Sequence, residues 1–149
     1  MATSTVRSST ENQIVIDYNS SKFLVGGGHT FVRRDYANIS GALESLAECQ
    51  VMGRVTVGGK VVPCVSTAED GSQYPIGFNV IAKTDVAIAG TIDDLLIVNG
   101  GGIRRDKIVL TGTDTLDTVV DGRTIEDWLI TNCTKLEIID TINCSTQAF

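Results

Sequence analysis

The chain carries one histidine, His29, and four cysteines, Cys49, Cys64, Cys133 and Cys144. A catalytic nucleophile needs a base within hydrogen-bond reach, and His29 is the only imidazole that could serve one. Beside the glycine run Gly26-Gly-Gly28 it reads as a structural or surface residue. The cysteines form no Cys-x-x-Cys pair, and a zinc site built from them would have a single histidine to draw on. They read as reduced, mostly buried thiols packing as small apolar groups.

The acidic residues are scattered. The nearest thing to a cluster is Asp114, Asp117 and Asp121, within Gly112-Thr-Asp-Thr-Leu-Asp-Thr-Val-Val-Asp-Gly122. That segment lacks the alternating ligand spacing and terminal Glu of a calcium loop, so solvated loop carboxylates are expected. Gly26-Gly-Gly28 is followed by no Gly-Lys-Ser/Thr and opens no helical pattern, which makes it a turn or hinge and not a phosphate cradle. Ala89-Gly-Thr-Ile-Asp93 resembles a piece of the trimeric, all-β dUTP nucleotidohydrolases, in which such an Asp helps to activate water. The rest of that pattern is missing, since Asp94-Leu-Leu follows where a Tyr belongs and no Gly-Arg-Ser phosphate motif or Arg/Gly-rich lid is found. No acid/base pair, metal triad or oxyanion device emerges, and neither catalytic residues nor a metal or cofactor is expected.

Charge narrows the partners. Twelve Lys and Arg stand against eighteen Asp and Glu, a formal net charge of −6. Binding a phosphate backbone requires a basic face, and the basic pairs Arg33-Arg34 and Arg104-Arg105 read as solvated strand ends, so nucleic acid is not an expected partner. No apolar run approaches the roughly 20 residues that span a bilayer, so a membrane is not expected either. Residues 1–10 hold no apolar core of a secretory signal, which predicts a chain made in a cytoplasm. The sequons at Asn38, Asn132 and Asn143 would then be chance matches.

The elements that must position these groups are mostly strands. Val, Ile and Thr number 16, 15 and 17, about a third of the 149 residues, and side chains branched at Cβ sit best on a pleated surface. The pattern predicts a mainly β fold, a compact sandwich-like or barrel-like body over 20–149 with one or two short helices, preceded by an extended, flexible arm over 1–19. Strands are expected at Gln13–Tyr18, Phe23–Val25, His29–Arg33, Tyr74–Ala82, Val86–Ile88, Leu95–Val98 and Leu136–Ile139, with Gly100-Gly-Gly102 breaking the series before Ile103–Leu110 resumes it. The sharpest local signal is Val51–Val57, then Gly58-Gly59, then Lys60–Val65, two β-branched runs joined by a dipeptide suited to positive φ, hence a tight hairpin. Pro63 cannot donate to a ladder, so its strand lies at an edge or Pro63 faces away from the ladder. Leu43, Leu46 and Ala47 share a helical face, predicting a turn or two of helix within 39–48. A short amphipathic helix is expected after Thr124 as N-cap, with Glu126 and Asp127 in its first turn and Ile125, Trp128 and Leu129 on one face.

From about Leu46 to Ile139 the chain resembles the head decoration proteins of tailed bacteriophages, the lambda-like capsid-stabilising family. The residues carrying the resemblance are Val51-Met-Gly-Arg-Val-Thr-Val-Gly-Gly-Lys60, Val62-Pro63, and Ala68-Glu-Asp-Gly-Ser-Gln-Tyr-Pro-Ile-Gly77. Downstream, Asp85, Asp94–Val98, Ile103–Leu110 and a Gly-x-Asp-Thr-Leu segment follow in a similar order. Phe78 departs from the pattern, where an aliphatic is usual, and Gly100-Gly-Gly102 replaces a more compact segment. Within the run, Asp70-Gly71 is a turn dipeptide followed by Ser72 and Gln73, Pro75 fixes the entry to a strand, and Gly77 permits close backbone approach.

The resemblance implies a homotrimer on the outer surface of a phage capsid, bound to the major capsid protein, stabilising the expanded head and made in a bacterial cytoplasm. The leading arm is expected to order as a strand against an exposed edge of the capsid protein, with Thr3, Thr5, Val6, Arg7, Ile14, Val15 and Ile16 as contact residues. Asp70, Gly71, Ser72, Gln73, Pro75 and Gly77 are expected to form a structural turn. The alternative is a small β module of a phage tail, baseplate or head fibre acting in attachment, for which a chain this poor in aromatics offers little surface for stacking on sugars.

Overall fold

The computed structural model describes residues 23–140. The expected arm, its strand at Gln13–Tyr18 and the contact residues Thr3, Thr5, Val6, Arg7, Ile14, Val15 and Ile16 lie outside the described residues, as does Cys144.

The body is mainly β, built on a sheet that closes on itself. Ten strands are described: β1 (Leu24–Ala37), β2 (Glu44–Leu46), β3 (Val51–Arg54), β4 (Val61–Pro63), β5 (Pro75–Asn79), β6 (Lys83–Val86), β7 (Thr91–Arg104), β8 (Val119–Val120), β9 (Arg123–Thr124) and β10 (Thr134–Ile139). Helix α1 spans Ile125–Asn132 between β9 and β10. The main sheet runs β1-β4-β3-β5-β7-β10, and an additional β1–β7 pairing closes the first five strands into a ring. Closure gives each ring strand a neighbour on both sides and leaves β10 at the free end of the sheet. Two ribbons, β2–β6 and β8–β9, stand apart.

Strands β3, β4 and β5 are buried on both faces, which is why they read as apolar runs with no clean alternation. One cluster, Tyr36, Leu46, Met52, Val61, Leu95 and Ile97 with Val32, Ile76 and Ile92 packed against it, draws on all five ring strands and forms the interior. The neighbouring residues Val51, Phe78, Val98 and Ile103 point the other way, toward Ile125 and Leu129 of α1. Burying those two helix side chains contributes about 1.5–3 kcal/mol each. Thr124 caps the helix as expected, its hydroxyl accepting from the Asp127 amide.

The hairpin β3–β4 forms with Met52 opposite Pro63 and Arg54 opposite Val61, and Gly58 and Gly59 both take positive φ. Its strand is not at an edge, because β1 pairs with β4 on the far side at Tyr36–Val61. Pro63 is tolerated because the Cys64 amide donates to the Val51 carbonyl at 3.0 Å. That bond makes Met52–Pro63 a pair that exchanges no hydrogen bonds, so no donor is needed at Pro63.

Expectations for four segments are overturned. β6 ends at Val86, so Val86–Ile88 is no strand, and within the expected Ile103–Leu110 strand the chain leaves the sheet after Arg104 for a 3-10 turn over Arg105–Lys107. Residues 39–48 form no helix; Glu44–Leu46 is a strand paired with β6, and only Leu46 of the supposed helical face is buried, while Leu43 is 66 % exposed. The cause is tertiary: Asn38 donates its side-chain amide to the carbonyls of Ala42, Val86 and Ala87, tying this segment to the β6 end. Gly100-Gly-Gly102 does not break the series, since β7 runs straight through it. Space requires the glycines, because a Cβ on Gly100 would stand 2.2 Å from the Thr134 carbonyl oxygen and one on Gly101 would stand 2.5 Å from the His29 ring. Opposite them, Gly26-Gly-Gly28 forms a bulge inside β1, where the register jumps from Val25–Gly102 to Thr30–Gly100.

Candidate functional site

His29, Cys49, Cys64, Cys133, Asp114 and Asp121 are engaged in the packing and bonding of the fold. The His29 Nε2–H donates to the Gly102 carbonyl at 3.0 Å across the β1 bulge. Cys49, Cys64 and Cys133 are free and buried, and burial pushes each thiol up to about 12, which keeps it protonated and unreactive. Asp114 accepts from the Ser66 amide at 2.8 Å and the Ser66 hydroxyl at 2.6 Å, and Asp121 accepts from the Tyr74 hydroxyl. Asp117 stands exposed, and among the described residues no three His, Cys, Asp or Glu side chains converge as a metal site. Asp93 is exposed on β7.

The basic pairs do not behave alike. Arg104 donates to Asp106, and Arg105 grips Glu126 with two bonds of 3.0 and 2.9 Å while also reaching Asp140 at 2.8 Å. In β1 the exposure alternates, so Arg33 faces out and donates to the Asp94 carbonyl at 3.2 Å, whereas Arg34 lies on the inward face between Val32 and Tyr36. Arg34 is therefore not a solvated strand end, and its Nε is buried with no hydrogen-bond partner among the described residues. The signal was present in the sequence as the alternation Val32, Arg34, Tyr36, once β1 is known to be a strand.

The turn that carries the resemblance is a tightly fitted joint. Asp70 Oδ1 accepts from the Ser72 amide at 3.0 Å and its hydroxyl at 2.6 Å, and these bonds hold the Asp70 carboxyl below the usual range. Gln73 Oε1 accepts from the Gly71 amide at 2.9 Å. The loop is sewn to the hairpin by the Thr56 amide, which donates to the Asp70 carbonyl at 2.8 Å. Gly71 sits at φ +102°, and a Cβ there would stand 2.2 Å from the Thr56 hydroxyl oxygen. On β3, a Cβ on Gly53 would come within 2.0 Å of the Ser72 carbonyl oxygen. Pro75 opens β5 and its carbonyl accepts from the Asn132 side chain at 2.9 Å, linking the joint to α1. Gly77 lets β5 approach β7, since a Cβ would stand 2.6 Å from the Val98 carbonyl oxygen. All six turn residues thus act through packing and local bonds within the body.

Two buried polar anchors escaped the sequence. Asn38 is described above, and Asn79 donates to the Ala47 and Ile81 carbonyls at 2.9 Å each. A third pair, the Tyr36 hydroxyl donating to Glu44, ties the ring interior to β2. No periodic pattern marks such residues, because some of their partners, Val86 and Ala87 for Asn38 and Ala47 for Asn79, lie tens of residues away.

No protein-family model matches this chain. No curated protein matches it either.

Proposed function

We propose that this chain is a structural virion protein that binds the outer surface of a tailed-phage capsid as a homotrimer and stabilises the expanded head. The observation that carries the reading is the joint just described. The stretches that resemble the decoration family, Val51–Lys60, Val62-Pro63 and Ala68–Gly77, interlock through Gly53, Asp70, Ser72 and Thr56 into one unit. These stretches, the most specific part of the resemblance, fit one another in space as those of a scaffold would. The commitment of His29 and the buried thiols to structural roles supports a non-enzymatic protein.

The arm over 1–19 is the main capsid contact in this reading, adding a strand to an edge of the major capsid protein through Ile14, Val15 and Ile16 and the residues before them. Ordering the arm costs conformational entropy and keeps single-subunit affinity modest. Three arms on one trimer raise the effective concentration of the second and third contacts. A ligand that binds only the expanded lattice stabilises that lattice by mass action.

Two measurements test it. Light scattering on the purified chain is expected to give about three times the 15.9 kDa of one subunit. Purified expanded heads stripped of this protein are expected to bind it in hundreds of copies and to resist heat or chelation better once coated, whereas a chain lacking residues 1–12 coats them poorly. Electron microscopy placing the protein on the tail or a fibre, with bare heads, would replace this reading with the attachment module.

A further inference from the structure

One buried side chain holds together a piece of exposed surface. Asn38 is 2 % exposed, and its amide serves the Ala42, Val86 and Ala87 carbonyls. Its Oδ1 accepts from the Ser40 amide at 2.9 Å and the Ser40 hydroxyl at 2.7 Å, and its backbone amide donates to the Gly90 carbonyl at 2.8 Å. The Gly90 amide donates in turn to the Ala87 carbonyl at 2.8 Å, closing the turn between β6 and β7. Loop 38–43 and turn 87–90 are thereby fixed to one another, in keeping with the pairing of Glu44 with Val86 just beyond them. Ala89 takes φ +62°, a conformation that a residue with a Cβ adopts at a cost, so the surrounding bonds impose the shape of this turn.

The surface fixed in this way is uncharged. Residues 39–43, Ile-Ser-Gly-Ala-Leu, and 87–89, Ala-Ile-Ala, are all exposed, and neither run contains an acid or a base. Ile39, Leu43 and Ile88 are 59, 66 and 61 % exposed. Charges resume at Glu44, whose carboxylate accepts from the Tyr36 hydroxyl, and at Asp85. Apolar side chains presented on a rigid frame suit docking, because little is left to order on association. We propose that this face is the self-contact of the chain, where Ile39, Leu43 and Ile88 of one copy pack against the same residues of others. Charge decides for a second copy. Eighteen acids against twelve bases make copies of this chain repel, and at a rotation axis each side chain meets its own equivalents, so any charge there meets like charge. Like charges juxtaposed in an interface are strongly unfavourable, and an aliphatic face without charge escapes that penalty. A partner of different sequence could be met through complementary charges instead. The number of copies, three, rests on the capsid reading above; the self-contact does not.

Sedimentation of the full chain over a range of concentrations tests the face. L43K/I88K alters two exposed positions and brings the formal charge from −6 to −4, which eases the general repulsion between copies. It is expected to keep the native fluorescence of Trp128 and to raise the concentration at which the assembly dissociates at least about hundredfold. L43S adds no charge, is expected to raise it about tenfold, and decides the matter where the double variant fails to fold. V57K, at the 86 % exposed tip of the β3–β4 hairpin, is the control and is expected to assemble as the unaltered chain does. A folded L43K/I88K that assembles at unaltered strength overturns the self-contact and leaves the trimer to another face. If that assembled variant also fails to coat expanded heads, the face belongs to the capsid contact instead. An unaltered chain that sediments as single 15.9 kDa subunits overturns the self-contact and the trimer together. Assembly that L43K/I88K abolishes, in a chain whose unaltered form leaves heads bare, upholds the self-contact and overturns the capsid reading.

Discussion

Replacing Gly53 by alanine adds one methyl group at the point where β3 meets the Asp70–Ser72 turn. The new Cβ would stand 2.0 Å from the Ser72 carbonyl oxygen and 2.7 Å from its carbon, more than an ångström inside ordinary contact. The obstacle is backbone, so no rotamer change relieves it. The turn could retreat only by stretching the bonds that hold it, from Ser72 to Asp70 at 3.0 and 2.6 Å and from Thr56 to Asp70 at 2.8 Å. Overpacking of this kind costs about 1–3 kcal/mol, and each net hydrogen bond lost adds about 1 kcal/mol, so G53A is expected to cost about 3 kcal/mol. For a chain of this size that lowers Tm by roughly 6–12 °C. Trp128, the single tryptophan, packs edge-on against Tyr74 at 5.0 Å and reports the unfolding transition in urea. The control is G27A, where a Cβ meets nothing within 4 Å; its effect is expected within about 0.5 kcal/mol. A G53A protein that loses less than about 1 kcal/mol at unchanged denaturant slope would refute the fitted joint.

Three further outcomes follow from the same structure. N38A removes a buried amide that serves three carbonyls and is expected to cost about 2–4 kcal/mol in urea titrations. N38D, which turns a carboxylate toward those carbonyls, is expected to be worse at neutral pH, with the gap closing on acidification as the buried acid protonates. T124A removes the α1 cap and is expected to lower stability by about 1 kcal/mol, measured in the same way. A thiol reagent at pH 8 is expected to modify at most one of the four cysteines in the native protein and all four in denaturant. The buried thiols also tilt the pH dependence of stability. Unfolded thiols ionise near 9.0 and native ones near about 12, so the native state holds more protons in between and stability falls as pH rises through that window. A stability that is flat from pH 9 to 11 in urea titrations would contradict the burial of Cys49, Cys64 and Cys133.

Features whose cause is local could be read from the residues alone. An excess of β-branched residues marked a β fold, Gly58-Gly59 marked the hairpin, and Thr124 with the acids behind it marked the start of α1, because turns and caps are decided within a few residues. The Asp70-Gly71 turn was legible for the same reason. Where the partner lay elsewhere in the chain, the folded arrangement made the choice. Residues 39–48 carry a helical spacing, yet Asn38 and the β6 ribbon draw them into a strand. Gly100-Gly-Gly102 resembles a break, yet β7 runs through it where β1 and β10 crowd its backbone. Arg33 and Arg34 are the same residue type side by side, and only the pleat of a strand in a closed ring sends one to solvent and the other inward. Composition sets what a segment prefers, and pairing over long distances decides which face of that preference is used.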